Sequence, residues 1–302
     1  MRYLFFDIES PDGGIGAMCE FGYVITDEQF NVLEQQVITM NPERRFNTGY
    51  RKGRPNVSFY FPKETYLSSP KFPYHYDRIK KLLTAPDTVV LGYSVGNDIR
   101  YIAFTSKRYR KPVFNYFAYD VQKMHRTLNN LVNMASLDKA VEEVPAEEKK
   151  DLTSHRSDCD AKMTMLVLKN LLKTKNLNIN DLINDNYKIE VTRYLKRLEE
   201  NRLIKQNRKD TIEVWKKFFE ENINTDKKTC IISGVLKKDL NTSNYVINKM
   251  KKANLKPGTD FNMADYSIVR DLSDKERLVN VLKKEFKGKY ICVSELDTLN
   301  EK

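Results

Sequence analysis

Near the start of the chain, the run Tyr3-Leu4-Phe5-Phe6-Asp7-Ile8-Glu9 leaves few ways to fold. Apolar and aromatic residues lead without a glycine or proline into two acids separated by one isoleucine, a pattern that predicts a strand over "RYLFFDI". Side chains of a strand point alternately to its two faces, so Asp7 and Glu9 share one face while Phe6 and Ile8 share the other. Two carboxylates side by side repel, and burial penalises the ionised form of each. A hard divalent cation between them removes the conflict, because magnesium takes oxygen ligands and one or two carboxylates are its usual protein contribution. Asp-x-Glu alone also fits a solvated strand end, so its meaning depends on further acids elsewhere.

Two places supply them. In "LGYSVGNDIRYI", Asp98 opens a helix that follows a strand. Strand ends of α/β sheets are where sites are usually built, although an acid at this position also serves as a helix cap. In "SHRSDCDAKMT", His155 precedes Asp160 by five residues at the start of a long helix, "DCDAKMTMLVLKNLLKT", with apolar Met163, Leu166, Val167 and Leu171. With His155 in the loop just ahead of that helix, both side chains can reach one point. Asp158 would face another way and reads as a solvated or capping acid. His75 and His125 sit outside any acidic constellation and read as structural.

The remaining elements give these segments a frame. "RYLFFDI", "MCEFGYVITD" and "NVLEQQVITM" read as strands joined by short loops, which favours an antiparallel meander. From "YHYDRIKKLLT" the pattern alternates: a strand at "TVVLGYS", a helix at "GNDIRYIAFTSKRY" and a strand at "VFNYFAYDV". The expected fold class is therefore α/β, a mixed sheet flanked by helices over residues 1–174. Residues 175–226 contain no glycine or proline, are dense in charge and predict one or two connector helices. A small α/β domain is expected over 227–302: strand ("KKTCIISGVL"), helix ("TSNYVINKMKKANL"), turn ("KPGTD"), strand ("YSIVRD"), helix ("KERLVNVLKKEF") and strand ("YICVSEL").

Together, Asp7 and Glu9, Asp98, and His155 with Asp160 resemble the three motifs of the DEDD superfamily of 3′–5′ exonucleases, in its histidine branch, with DNA polymerase III epsilon-like proofreading enzymes the nearest likeness. "CEFGYV" looks like the family's second strand and "SLDKAVEEV" like the helix before its histidine. The resemblance covers roughly residues 1–174 and implies a ribonuclease H-like sheet. It also implies catalysis by Asp7, Glu9, Asp98, His155 and Asp160, with Asp7, Glu9, Asp98 and Asp160 as ligands of two Mg2+ or Mn2+ ions. Ser10, Tyr93 and Ser94 are the expected substrate contacts. Ser10 stands where threonine is usual, Tyr93, Ser94 and Asn97 replace the usual His-Asn pair and aromatic of the second motif, and Ser157 replaces a small alanine.

The chemistry explains the residue types. Phosphodiester hydrolysis needs an attacking hydroxide and builds charge on the phosphate and the leaving oxygen. Two metal ions about 3.5–4 Å apart meet both demands, and a histidine has the intrinsic pKa to take the water's proton near neutrality. The expected activity is release of nucleoside monophosphates from the 3′ end of single-stranded or frayed DNA. The alternatives are an exoribonuclease with the same site, or a catalytically silent nuclease fold used as a binding module.

Charge agrees with a nucleic-acid partner: 52 Lys and Arg against 41 Asp and Glu give a net +11. "NPERRFNTGYRKGRPNVSFYFPKETYLSSPKFPYHY" mixes basic and aromatic residues as expected for gripping and stacking single strands, and also fits a structural loop. "RYLKRLEENRLIKQNRK" interleaves acids with its bases and reads more simply as a solvated helix than as a phosphate-binding surface. The C-terminal domain, with "IISGVL" near its start, faintly resembles a BRCT domain, which implies a protein or nucleic-acid partner; the usual glycine pair and late tryptophan are missing. No apolar run approaches the roughly 20 residues of a membrane span. The N-terminus does not read as a signal peptide. Four dispersed cysteines (Cys19, Cys159, Cys230 and Cys292) suggest neither a zinc site nor a disulfide framework, and a cytoplasmic protein is expected.

Overall fold

A computed structural model describes residues 1–47, 59–150, 152–153, 155–222, 224–282 and 286–300. The chain divides into two compact units, Met1–Lys196 and Arg197–Lys302.

The first unit opens with the expected meander: β1 (Arg2–Glu9), β2 (Glu20–Thr26) and β3 (Val32–Thr39). Helices α1 (Lys63–Ser68) and α2 (Phe72–Leu83) lead to β4 (Thr88–Gly92), α3 (Gly96–Arg108) and β5 (Phe117–Asp120). There follow α4 (Val121–Leu128), α5 (Leu137–Glu142), α6 (Ser157–Lys175), the single turn α7 (Ile179–Leu182) and a last strand, β6 (Lys188–Glu190). The sheet order is β3-β2-β1-β4-β5-β6. β1 pairs antiparallel with β2 and parallel with β4, and β6 closes the far edge antiparallel to β5. This is the mixed sheet flanked by helices that the sequence leads one to expect.

The central strand β1 is buried on both faces, and its period of two sorts two cores. Tyr3 and Phe5 join Val24 and Leu91 under α6, against Met163, Leu166, Val167 and Leu171. Leu4, Phe6 and Ile8 face the other way, against Phe72 and Ile79 of α2 and Ile99 and Ile102 of α3. Asp7 and Glu9 continue the Tyr3–Phe5 face and so look toward α6. That helix ends where Asn176 takes the left-handed conformation, φ 50° and ψ 47°.

Two segments differ from the sequence reading. The strand at "VFNYFAYDV" contracts to four residues, because the Asp120 side chain accepts from the Lys123 backbone N–H at 3.3 Å and starts α4 at once. The charged stretch after residue 175 is not purely helical: Lys188–Glu190 pairs with Phe117–Tyr119 before α8 (Val191–Glu220) begins. Residues 48–58, the middle of the basic and aromatic stretch singled out above, lie outside the described residues.

The second unit carries a four-stranded parallel sheet, ordered β10-β9-β7-β8. In chain order these are β7 (Lys228–Ile232), α9 (Leu240–Lys252), β8 (Leu255–Pro257), β9 (Tyr266–Val269), α10 (Leu272–Leu282) and β10 (Lys289–Cys292). β8 falls where a turn is expected. It is an edge strand, where the missing N–H of Pro257 leaves no ladder bond unmade. The core of this unit also takes Phe218 and the flanking Val214 and Trp215 from α8, with the Trp215 indole N–H donating to Ser243 Oγ at 2.8 Å. The end of the charged segment therefore contributes to the small domain's core. Among the described residues no helix is long and apolar enough to cross a membrane.

Candidate active-site cleft and metal centre

Because β1 and β4 are parallel neighbours, with Phe5 level with Leu91, their C-terminal ends open at the same edge of the sheet. Asp7, Glu9 and Tyr93 stand there, and the start of α6 brings His155 and Asp160 to meet them. A cleft of about 200 Å³ is lined by these five residues together with Ile8, Leu137 and Asp138.

What allows the approach of α6 is a glycine. In the β1–β2 register Asp7 faces Gly22 and Glu9 faces Glu20. A Cβ on Gly22 would lie 2.0 Å from the Ser157 carbonyl carbon and 2.1 Å from the Asp158 nitrogen. The first turn of α6 thus rests on bare backbone. One turn of helix places Asp160 over Asp7.

Carboxylate oxygens of Asp7, Glu9 and Asp160 lie within 4.8 Å of one another. Oxygens bound to one divalent ion are separated by about 3–5 Å, given metal–oxygen distances of about 2.0–2.6 Å, so the three fit such an ion. The electrostatics agree. Burial, then the charges of Asp160 and Glu20, push the Asp7 carboxyl well above the usual range. Burial, then Asp7, Glu20 and Asp160, raise Glu9 to about 9. For Asp160 burial again comes first and raises it to about 7, against the His155 backbone N–H, which pulls the other way.

Asp98, third residue of α3, is buried at the same sheet edge but outside the trio. Burial, and then the charges of Asp7 and Glu9, hold its carboxyl well above the usual range. His155 sits in the turn before α6 with φ 64°, exposed toward the cleft. With its backbone in that strained region, His155 lines the cleft beside the acids while its own N–H serves Asp160.

The three expected substrate contacts are placed differently. Tyr93 lines the cleft and donates its hydroxyl to the Ala135 carbonyl at 2.9 Å. Ser94 follows in the left-handed region, φ 57°. Ser10 is buried, and its hydroxyl is spent on the Gly14 carbonyl at 3.3 Å, fastening the loop after β1. Asp158 is buried rather than solvated: its Oδ1 pairs with Arg156 Nε at 2.7 Å, and its Oδ2 accepts from Gln35 Nε2 at 2.8 Å. His125 is buried with Nε2 3.1 Å from Glu143 Oε2, away from the cleft lining. Sequence reading passed over Asp138, which follows Leu137 at the start of α5, and Glu20, an acid on a strand with no motif of its own.

The acids predict a pH-dependent stability. Without metal the fold keeps protons that the unfolded chain gives up above about pH 4. Groups with raised folded pKa lend stability at low pH and lose it as pH climbs through the folded values. The melting temperature of the metal-free protein should therefore fall as pH rises toward about 9. Added Mg2+ or Mn2+ should restore it, and by more at alkaline pH, since the ion takes the deprotonated carboxylates. Thermal melts of the wild type and Glu9→Gln, with chelator or metal across that range, test this. The substituted protein should show the flatter metal-free slope; equal slopes and no metal effect would show that the acids do not act as a unit.

No protein-family model and no curated protein matches the chain by sequence. Solved structures do show similarity. The zinc-ion-bound form of E. coli exonuclease I with single-stranded DNA aligns at 16% identity and TM-score 0.41, over 59% of this chain and 42% of that one. A 3′-exonuclease recognising the histone mRNA stem-loop aligns at 13% identity and TM-score 0.43, over 57% and 64%. Cell-death related nuclease 4 aligns at 13% and 0.41, over 57% and 64%. The chain thus spans less than half of exonuclease I and less than two thirds of the other two.

Proposed function

We propose that this protein is a metal-dependent 3′–5′ exonuclease that removes nucleoside monophosphates from the 3′ end of DNA, single-stranded or frayed. The observation that carries the proposal is the convergence of Asp7, Glu9 and Asp160 within 4.8 Å, beside His155 in one cleft. Asp7, Glu9 and Asp160 would hold the metal, and Asp98, buried at the same sheet edge and under the charges of Asp7 and Glu9, would add a fourth carboxylate. Two Mg2+ or Mn2+ ions, when bound, activate the attacking water and neutralise charge on the leaving oxygen. His155, at the solvent side, accepts the water's proton. Tyr93 lines the place for the terminal nucleotide, with Ser94 next to it in the chain, and Ser10, which fastens the loop after β1, is the remaining candidate contact. Net positive charge elsewhere on the chain supplies phosphate affinity that the acidic cleft lacks. The C-terminal unit, a four-stranded parallel sheet with helices in its connections, we read as a BRCT-like binding module for a protein or nucleic-acid partner.

Strands labelled at either end, as DNA and as RNA, test the proposal. With Mg2+ or Mn2+, a 3′-labelled DNA should release labelled mononucleotide at once, whereas a 5′-labelled one should shorten stepwise; chelator should stop both. Faster loss of RNA would assign the same site to ribonucleotides. Full rate in excess chelator, or internal cleavage of a circular strand, would overturn it.

A further inference from the structure

One carboxylate beside the cleft has no part in the chemistry above. Glu20 lies on β2 directly across from Glu9 and is fully buried. Three donors converge on it. The Ser157 backbone N–H and Oγ–H donate to Oε2 at 3.2 and 2.7 Å, and the Tyr66 hydroxyl donates to Oε1. Both oxygens are thus engaged by the protein, which distinguishes Glu20 from the carboxylates that fit an ion. A buried carboxylate is costly unless fully hydrogen-bonded. Here the donors and the positive end of the 19-residue α6 offset that cost.

Its place in the chain gives these bonds a consequence. Ser157 stands two residues after His155 and three before Asp160. Gly22, on the same face of β2 as Glu20, is where the Ser157–Asp158 backbone comes to rest. The first turn of α6 is therefore set on β2 by a contact at Gly22 and by hydrogen bonds at Glu20. Tyr66 extends the clamp outward: it is fully buried, and its ring packs on Phe46, Phe59 and Phe61.

We propose that Glu20 is a positioning residue: by tying the start of α6 to β2, it sets Asp160 and His155 in register with Asp7 and Glu9. The inference rests on reading the cleft as a divalent-metal nuclease site. Partners that orient metal ligands typically cost about 10–100-fold in metal affinity or activity when removed. Glu20→Gln keeps the volume while replacing one acceptor oxygen by an NH2 group. It should weaken Mn2+ binding and lower kcat by about 10–100-fold, with KM for a short oligonucleotide near the wild-type value. Ser157→Ala should move both quantities the same way by less, and the double variant should be no worse than Glu20→Gln alone. Calorimetric Mn2+ titration, steady-state kinetics and thermal melts of the full chain decide. Folded Glu20→Gln and Ser157→Ala proteins with wild-type Mn2+ affinity and kcat would overturn the proposal, even with a lowered melting temperature, because that pattern belongs to a purely structural contact. Should Glu20→Gln not fold, Ser157→Ala and Tyr66→Phe carry the same test. Because the titration needs no substrate, it separates the two readings. Wild-type protein that binds Mn2+ through Asp7 yet releases no nucleotide would refute the nuclease function and leave the role of Glu20 to be judged on affinity.

Discussion

His155→Ala should slow single-turnover hydrolysis by about 10²–10⁴-fold, the usual cost of removing a positioned general base, while Asp7→Ala should leave no measurable hydrolysis. The difference follows from where the two side chains stand. Asp7 is in the carboxylate trio, under the charges of Asp160 and Glu20. His155 sits outside that trio, exposed in the turn before α6. On the proposed mechanism its loss removes a proton acceptor and leaves the carboxylate trio standing. Raising the pH should recover part of the His155→Ala rate as hydroxide replaces the missing base, and should recover nothing in Asp7→Ala. Rates against pH for both variants check this. A His155→Ala protein as fast as the wild type would place the proton acceptor elsewhere.

Gly22→Ala should be among the most damaging small substitutions in the chain. The added methyl would sit 2.0 Å from one backbone atom of α6 and 2.1 Å from another. No side-chain rotation relieves a clash with main chain, so the helix must lift off β2. Overpacking usually costs about 1–3 kcal/mol, and backbone contacts at this distance belong at or above the top of that range. For a unit of this size about 3 kcal/mol lowers the melting temperature by roughly 6–12 °C. Gly234→Ala is the control, since nothing lies within 4 Å of the added atom. It should change the melting temperature little. Equal melting temperatures for the two variants would show that α6 does not rest on β2 as described.

How much of this was legible in the sequence varied with the range of the interaction. The Asp7–Glu9 pair is a local fact of strand geometry. The offset of His155 from Asp160 is local too, once the apolar run after it marks a helix. Fold class followed from the alternation of strands and helices. What escaped depends on partners distant in sequence. Lys188–Glu190 is three residues in a charged stretch, a strand only because Phe117–Tyr119 lies beside it. Leu255–Pro257 shows a turn's chemistry locally and becomes a strand by pairing with β7. Trp215 and Phe218 look like isolated apolar residues among lysines and acids, yet they belong to the core of the small domain. Glu20 and Gly22 carry no signal of their own either. Their importance appears only when Ser157 is found above them.

Titration of Mn2+ into metal-free protein by calorimetry, for the wild type, Asp7→Ala and His155→Ala side by side, is the most direct test of the acids as a metal centre. It should be run near neutral pH in buffers of different ionisation enthalpy, because the ion displaces the protons that burial keeps on Glu9 and Asp160. The expected result is binding by the wild type, near-normal binding by His155→Ala and none by Asp7→Ala. Equal binding by all three, or no binding by the wild type at millimolar Mn2+, would contradict it.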